Sequence, residues 1–297
     1  MNLDWLGERI RPLYGQVILW VLLACALCLA AYFLSHHGGA HPHGPRNRVS
    51  ILTPQPEAAP PSLLSLLPDA LLQNRPLFWS CGALFVLGAI LWVAGLLLPW
   101  SGWLCALSFT AVVALYLENA SQATHVAHLT NVLLLLHALW YHFYAAEIRH
   151  ARREGCFWQR DLYPRWVHSL SVFAIGMFYG LAGLSKLLEG GLGWANGVSL
   201  QLWVSLWGNP DSLWTQLILD NRNVARALQW ATLLSEVGAL PALFLPRFRL
   251  ACALALVGFH IGQIAVFAWG FHANMILLLL VFAPPWPWIK KLRNRHR

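Results

Sequence analysis

Lys186 closes a long apolar run, Val167 to Leu188, in which no acid shares its helix face. An amine near the end of such a run either snorkels to the interface or works chemically. Held away from water, it loses part of its affinity for a proton and becomes available as a base or nucleophile. Few other strongly polar side chains fall inside apolar stretches. They are His125, His128, Asn131 and His137, then His168, Glu236, His260 and Gln263. On a helix, residues three apart share a face, which pairs His128 with Asn131 and His260 with Gln263. An imidazole beside an amide, with an amine and a carboxyl elsewhere, is a set that accepts, holds and returns protons. Each member also has a plainer role: Lys186 as an anchor, Glu236 as a hydrogen-bonded structural acid, His260 as a satisfied core histidine. The spacing His125-x-x-His128 also suits metal ligation. Membrane di-iron enzymes use more histidine-rich boxes than this chain has, and no metal is expected.

The elements that must position these groups are membrane helices. Hydrophobic residues make up 58% of the 297 and charged residues 11%, against roughly 25% charged in a soluble domain. Several apolar runs reach the ~20 residues that cross a bilayer, and backbone groups facing lipid must be satisfied within their own segment. The expectation is an all-α, polytopic helical membrane protein with eight spans. They run from Gly15 to Leu34, Phe78 to Leu98, Trp103 to Leu117, His125 to Ala146, Trp166 to Leu188, Ala227 to Leu245, Leu250 to Trp269 and Asn274 to Trp288. Val198 to Trp207 is too short to cross and reads as a re-entrant or interfacial helix ended by Asn209-Pro210-Asp211. Pro99 to Gly102 reads as a tight turn.

Three regions follow: a first span within residues 1–34, a His/Pro-rich external loop over residues 35–77, and a helical membrane domain over residues 78–297. The loop carries His36, His37, His41 and His43, with a short amphipathic helix expected over Ser62 to Leu72. Cys25-x-x-Cys28 lies in mid-span and reads as packing, because no quartet of metal-type cysteines accompanies it.

The net charge of +8 is concentrated in Arg149 to Arg165, Arg247 with Arg249, and the tail Lys290 to Arg297. Excess Lys and Arg mark cytoplasmic loops, so these clusters read as topology rather than as a nucleic-acid surface. Both termini are expected in the cytoplasm and the chain in the inner membrane. Span five then runs outward, which puts Lys186, His125 and His128 near the outer face and Glu236 and His260 near mid-membrane. Gly176, Gly180 and Gly183 form a smooth stripe on span five. That stripe suits close helix packing, which also makes room for a ligand beside Lys186.

Two phrases carry a family resemblance. Tyr179-x-x-Ala182-Gly183-x-x-Lys186-Leu187, followed by Trp194-x-x-Gly197, resembles the signature of the membrane domain of vitamin K-dependent gamma-glutamyl carboxylase and of its bacterial relatives, the HTTM family. Phe259-His260, then Phe267, Gly270, Met275 and Pro285-Trp286-Pro287, is similar to the last membrane segments of the same family. The resemblance extends over about Thr124 to Lys291. It implies that Lys186 acts as base on a vitamin K-like quinol. Oxygen would turn that quinol into a strong base that removes a proton from a glutamate side chain, and carbon dioxide would add to the carbanion. It implies catalytic roles for Lys186, His128 and His260, and a ligand-lining role for Asn131, Glu236, Gln263, Trp194 and Gly183. The chain departs from the family where Ser185 replaces a second lysine and where three extra residues separate Lys186 from Trp194. The large lumenal domain of the carboxylase has no counterpart after the eighth span.

The functional expectation is therefore quinol-linked, oxygen-dependent base chemistry on an external substrate. Alternatives are a non-enzymatic membrane partner in peptide-toxin maturation or immunity, and a quinone-binding subunit. The expected partners are the lipid bilayer and a peptide or quinone ligand, with no nucleic acid. Lys186→Ala is expected to remove activity while leaving thermal stability nearly intact.

Overall fold

The computed structural model describes residues 3–36, 74–119, 127–156, 162–267 and 271–283. All regular structure among them is helical. We number the helices α1 (Leu3–His36), α2 (Arg75–Ala94), α3 (Trp100–Asn119), α4 (His128–Phe143), α5 (Ala145–Arg153), α6 (Arg165–Gly190), α7 (Val198–Trp207), α8 (Leu213–Asp220), α9 (Arg222–Phe244), α10 (Arg249–Phe267) and α11 (His272–Leu277). A 3-10 turn, Gly191–Ala195, follows α6, and a π-helical turn, Leu278–Phe282, follows α11.

The class expectation holds, but the number of spans does not. Among the described residues, five segments are long and apolar enough to cross a bilayer, against the eight expected of the chain: Tyr14–Phe33, Arg75–Ala94, Arg165–Ala195, Arg222–Phe244 and Pro246–Phe267. The third expected span has only the shorter apolar stretch Trp100–Tyr116. The fourth is interrupted at Tyr144, whose backbone leaves the helical region, so that α4 keeps 16 residues. That is about 24 Å of rise, short of a ~30 Å hydrocarbon core. The described part of the eighth is the short His272–Phe282. His125, most of the histidine-rich loop and the amphipathic helix expected over Ser62 to Leu72 lie outside the described residues.

Local chemistry explains where helices start and stop. Asn74 caps α2 by accepting from the Leu77 amide at 2.9 Å, with Pro76 in the first turn. Asn221 does the same for α9, accepting from Asn223 and Val224. These caps start α2 and α9 several residues before their apolar runs begin. Gly95 ends α2 in the left-handed region at φ 73°. The turn expected over Pro99 to Gly102 therefore comes earlier, and Trp100, Ser101 and Gly102 already belong to α3.

The helices form two compact units, residues 15–162 in one and residues 1–14 with 163–297 in the other. In the first, α2 and α3 pack so closely that a Cβ on Gly88 would lie 2.6 Å from the Cys105 backbone nitrogen. Phe85 meets Phe109 with centroids 5.2 Å apart, and the fully buried Trp92 meets Tyr141 edge-on at 5.2 Å. Two arginines of the basic loop have structural partners here: Arg149 donates to the Leu98 carbonyl at 2.7 Å and Arg152 to the Val93 carbonyl at 3.1 Å. They satisfy acceptors that the end of α2 leaves open.

In the second unit, α6 and α9 run antiparallel. The glycine stripe of α6 takes the side chains of α9 in register, Gly176 against Leu243, Gly180 against Leu240, and Gly183 against Glu236 and Val237. Around Val204, Ile218, Ala225 and Val266, α7 and α8 bury a small apolar cluster against α9 and α10. The Val266 carbonyl at the end of α10 accepts from the Asn209 amide at 2.8 Å and the Thr215 hydroxyl at 3.2 Å. Arg249 closes the other end of α9 through the Ala242 and Leu243 carbonyls, at 3.0 and 2.7 Å.

Candidate functional site

The register of α6 and α9 puts Lys186 opposite Glu236. The amine donates to Glu236 Oε2 at 2.6 Å, with the Glu236 side chain 5% exposed and that of Lys186 26% exposed. The sequence expectation set these two at different depths; the contact puts them at one level. The Lys186 amine also lies 3.4 Å from the Ala182 carbonyl, one turn back along α6. A side chain directed toward the start of its helix in this way leans into the span, not outward as a snorkelling anchor would. The Trp194 ring covers the amine at 5.5 Å from its centroid, within cation–π range.

Trp194 is held there by α9. Gln229, seven residues before Glu236 and so on nearly the same face, donates to the Trp194 carbonyl at 2.9 Å and to the Ser199 hydroxyl at 2.6 Å. Its own carbonyl oxygen accepts from the Gly197 amide at 2.7 Å. Gly197 is required: its φ is +90°, and a Cβ there would lie 2.7 Å from the Arg222 carbonyl oxygen. The Trp194-x-x-Gly197 phrase is thus a backbone device that fixes an aromatic ring over the amine.

Two turns before Lys186, Tyr179 points from the same face of α6 into a second polar group. Its hydroxyl is 2.7 Å from His260 Nε2, and His260 Nδ1 is 2.8 Å from Gln263 Oε1. With the Gln263 oxygen facing it, Nδ1 carries the ring proton and Nε2 accepts from the tyrosine. Both rings are buried. Phe259 and Phe271 flank the imidazole at centroid distances of 5.0 and 5.1 Å. The pairing of His260 with Gln263 follows the sequence expectation, and Tyr179 is the partner that expectation missed. Its seven-residue spacing from Lys186 was the available signal.

Other expected residues sit elsewhere. Asn131 belongs to the unit of residues 15–162, where its side-chain oxygen accepts from Thr110 at 2.8 Å and so ties α4 to α3. His128, half-buried at the start of α4, is in that unit too. Gly183 borders the pair, but the space beside it is filled by α9, with Glu236 Cβ and the Val237 nitrogen each 2.8 Å from an added Cβ. His168 is on α6, beside Tyr14 at a centroid distance of 5.9 Å. Among the described residues no group of three or more His, Cys, Asp or Glu side chains could hold a metal.

Chemically, the pair is a hydrogen-bonded amine and carboxyl, between which a transferred proton leaves the net charge unchanged. Transfer from the ammonium to the carboxylate leaves a neutral amine with a free lone pair beside a neutral acid. No protein-family model, curated protein or solved structure matches this chain.

Proposed function

We propose that this is a membrane protein of the HTTM type whose Lys186–Glu236 pair performs base chemistry on a quinol-class ligand. The observation that carries this reading is the amine of Lys186 held at 2.6 Å from a buried carboxyl and under an aromatic ring. The resemblance supplies the ligand class. The residues fit a quinol by donor set: an amine and a carboxyl at one level of α6, a phenol and an imidazole two turns away. They fit less well by room, because the apolar hollow between α9 and α10, lined by Ala231, Leu234, Gly238, Pro241, Cys252 and Ala255, does not reach Lys186. Approach is instead from the open quarter of Lys186, beside the partly exposed Trp194.

A quinol supplies, when bound, hydroxyl protons and reducing equivalents. On the protein side, Glu236 takes the lysine proton, and the freed Lys186 lone pair faces the ligand hydroxyl. Trp194 keeps water from that nitrogen, which preserves its basicity.

Purified protein is expected to retain a quinone recoverable by solvent extraction and mass spectrometry, and to consume a short-chain quinol in an oxygen-dependent manner. Lys186→Ala is expected to lose both. Gly88→Ala, which opposes the Cys105 backbone in the other unit, controls for destabilisation alone and is expected to lose neither. Equal quinol turnover by wild type and Lys186→Ala would sink this reading.

A further inference from the structure

The turn between α2 and α3 borders an open-sided hollow of about 600 Å³, within the unit of residues 15–162. Trp100, Leu104 and Leu107 wall it from α3, Leu91 from α2 and Leu97 from the turn. Positions 100, 104 and 107 share one face of α3, and that face runs about 10 Å along the helix from its start. The surface presented is apolar, and Leu97, Trp100 and Leu107 are exposed.

Leu97 gives an independent sign that this wall is kept for use. Its φ is 52°, in the left-handed region, which strains a leucine and which glycine adopts without cost. A turn selected for shape alone takes glycine there. The leucine instead holds an apolar side chain, 68% exposed, at the edge of the hollow.

Positive charge gathers at the same end. Arg149 of α5 donates one N–H to the Leu98 carbonyl at 2.7 Å, next to Leu97. A guanidinium carries five N–H groups, so most of its donors are left over. Arg153, one turn further on the same side of α5, is exposed as well. Arg152 lies across Gly95, where an added Cβ would run into its guanidinium. Nearby acids do not cancel this charge. Glu147 is two positions from Arg149 and so on the other side of α5, and Glu154 is engaged by His150 at 3.0 Å.

We infer that this hollow binds one anionic phospholipid. An acyl chain lies along α3 against Leu104 and Leu107, and the phosphate meets Arg149 and Arg153. An uncharged chain leaves the guanidinium groups without an anion, and a free phosphate leaves the apolar wall in water. A lipid with a net negative headgroup satisfies both ends, and the planar guanidinium suits phosphate through paired N–H bonds. The place fits, because α2 is long and apolar enough to cross a bilayer and the hollow opens at its end. The inference rests on the membrane class of the protein and not on the chemistry of Lys186, which belongs to the other unit.

The test uses the full chain, stripped of lipid in detergent, and native mass spectrometry to count bound lipids and rank affinities. Wild type is expected to bind one dioleoyl phosphatidylglycerol about tenfold more tightly than dioleoyl phosphatidylcholine, with about fivefold coming from each arginine. Arg153→Gln, which removes an exposed charge, is expected to weaken phosphatidylglycerol about fivefold and leave phosphatidylcholine unchanged. Arg149→Gln combined with Arg153→Gln is expected to abolish the preference. Leu97→Gly relieves the backbone, is expected to melt at or above wild type, and weakens both lipids. If the double arginine variant does not fold, Arg153→Gln and Leu97→Gly carry the test. Equal affinity for the two lipids in wild type, a preference that survives the arginine substitutions, or unchanged lipid binding by Leu97→Gly overturns the inference. Binding of inorganic phosphate as tightly as phosphatidylglycerol overturns it too, since the hollow would then contribute nothing.

Discussion

Lys186 and Glu236 are coupled, and that changes what a single substitution does. Removing one partner of a buried ion pair leaves the other charge uncompensated, at a cost of about 3–5 kcal/mol, whereas replacing both by apolar side chains is often neutral. With Lys186 a quarter exposed, the lower end applies. Lys186→Met and Glu236→Leu are each expected to destabilise the chain by about 3 kcal/mol, and the double variant to recover most of that. Denaturant titration of the three variants checks it; additive losses in the double would show that the contact carries no coupling. The sequence expectation that Lys186→Ala leaves stability nearly intact is thereby revised, because that reading had no partner for the amine. Lys186, Glu236, His260 and Gln263 were all legible as polar residues in apolar runs, since burying such groups is costly enough to stand out. Which of them meet was not legible. Their contacts depend on the register of α6 against α9, and no spacing within one helix states the register between two.

That register is set at the scale of elements by three glycines. At Gly180 and Gly176 an added Cβ would meet the ends of the Leu240 and Leu243 side chains, which can rotate away. At Gly183 it would meet the Val237 backbone nitrogen and the Glu236 Cβ, each at 2.8 Å, which cannot. Gly183→Ala is therefore expected to push α9 away from α6, costing about 1–3 kcal/mol and lengthening the Lys186–Glu236 contact. Gly258→Ala and Gly262→Ala on α10 meet nothing within 4 Å and are expected to be tolerated. Comparing melting temperatures across this set checks the assignment; a Gly183→Ala protein as stable as Gly258→Ala would show that the close approach does not govern the packing. The long helices α6, α9 and α10 were readable to within a few residues, because their apolar length exceeds that of ordinary helices. Their starts were misplaced where an Asn cap precedes the apolar run, as at Asn221, since polarity alone reads a cap as loop. The shortfall in spans has a related origin. A continuous apolar sequence does not reveal a local break such as the one at Tyr144, which ends α4 three residues before the expected end of its span.

At the scale of the whole molecule, the charge pattern is the signal from which sides are proposed. The start of α6 at Arg165, the turn at Arg247 and Arg249 that joins α9 to α10, and helix α5 with Arg149, Arg152 and Arg153 carry half of the Lys and Arg among the described residues. Side-chain bonds from Arg149, Arg152 and Arg249 to helix-end carbonyls account for part of that clustering without any membrane. The remaining arginines, Arg153, Arg165 and Arg247 among them, are left to the topological bias. The sequence expectation of both termini in the cytoplasm requires an even number of crossings. The five long apolar helices must then be joined by an odd number of the shorter ones, Trp100–Tyr116 and His272–Phe282 among the candidates. Cys156 reports on the arrangement: it is free, partly exposed, and follows directly on α5 and its arginines. In a variant keeping Cys156 as its sole cysteine, a membrane-impermeant maleimide is expected to label inverted vesicles and not intact cells. A cysteine placed at Leu192, an exposed position in the turn after Lys186, is expected to show the opposite pattern. Labelling of both from the same face would put Lys186 at the cytoplasmic end of α6 and remove the outward-facing site on which the proposed chemistry depends.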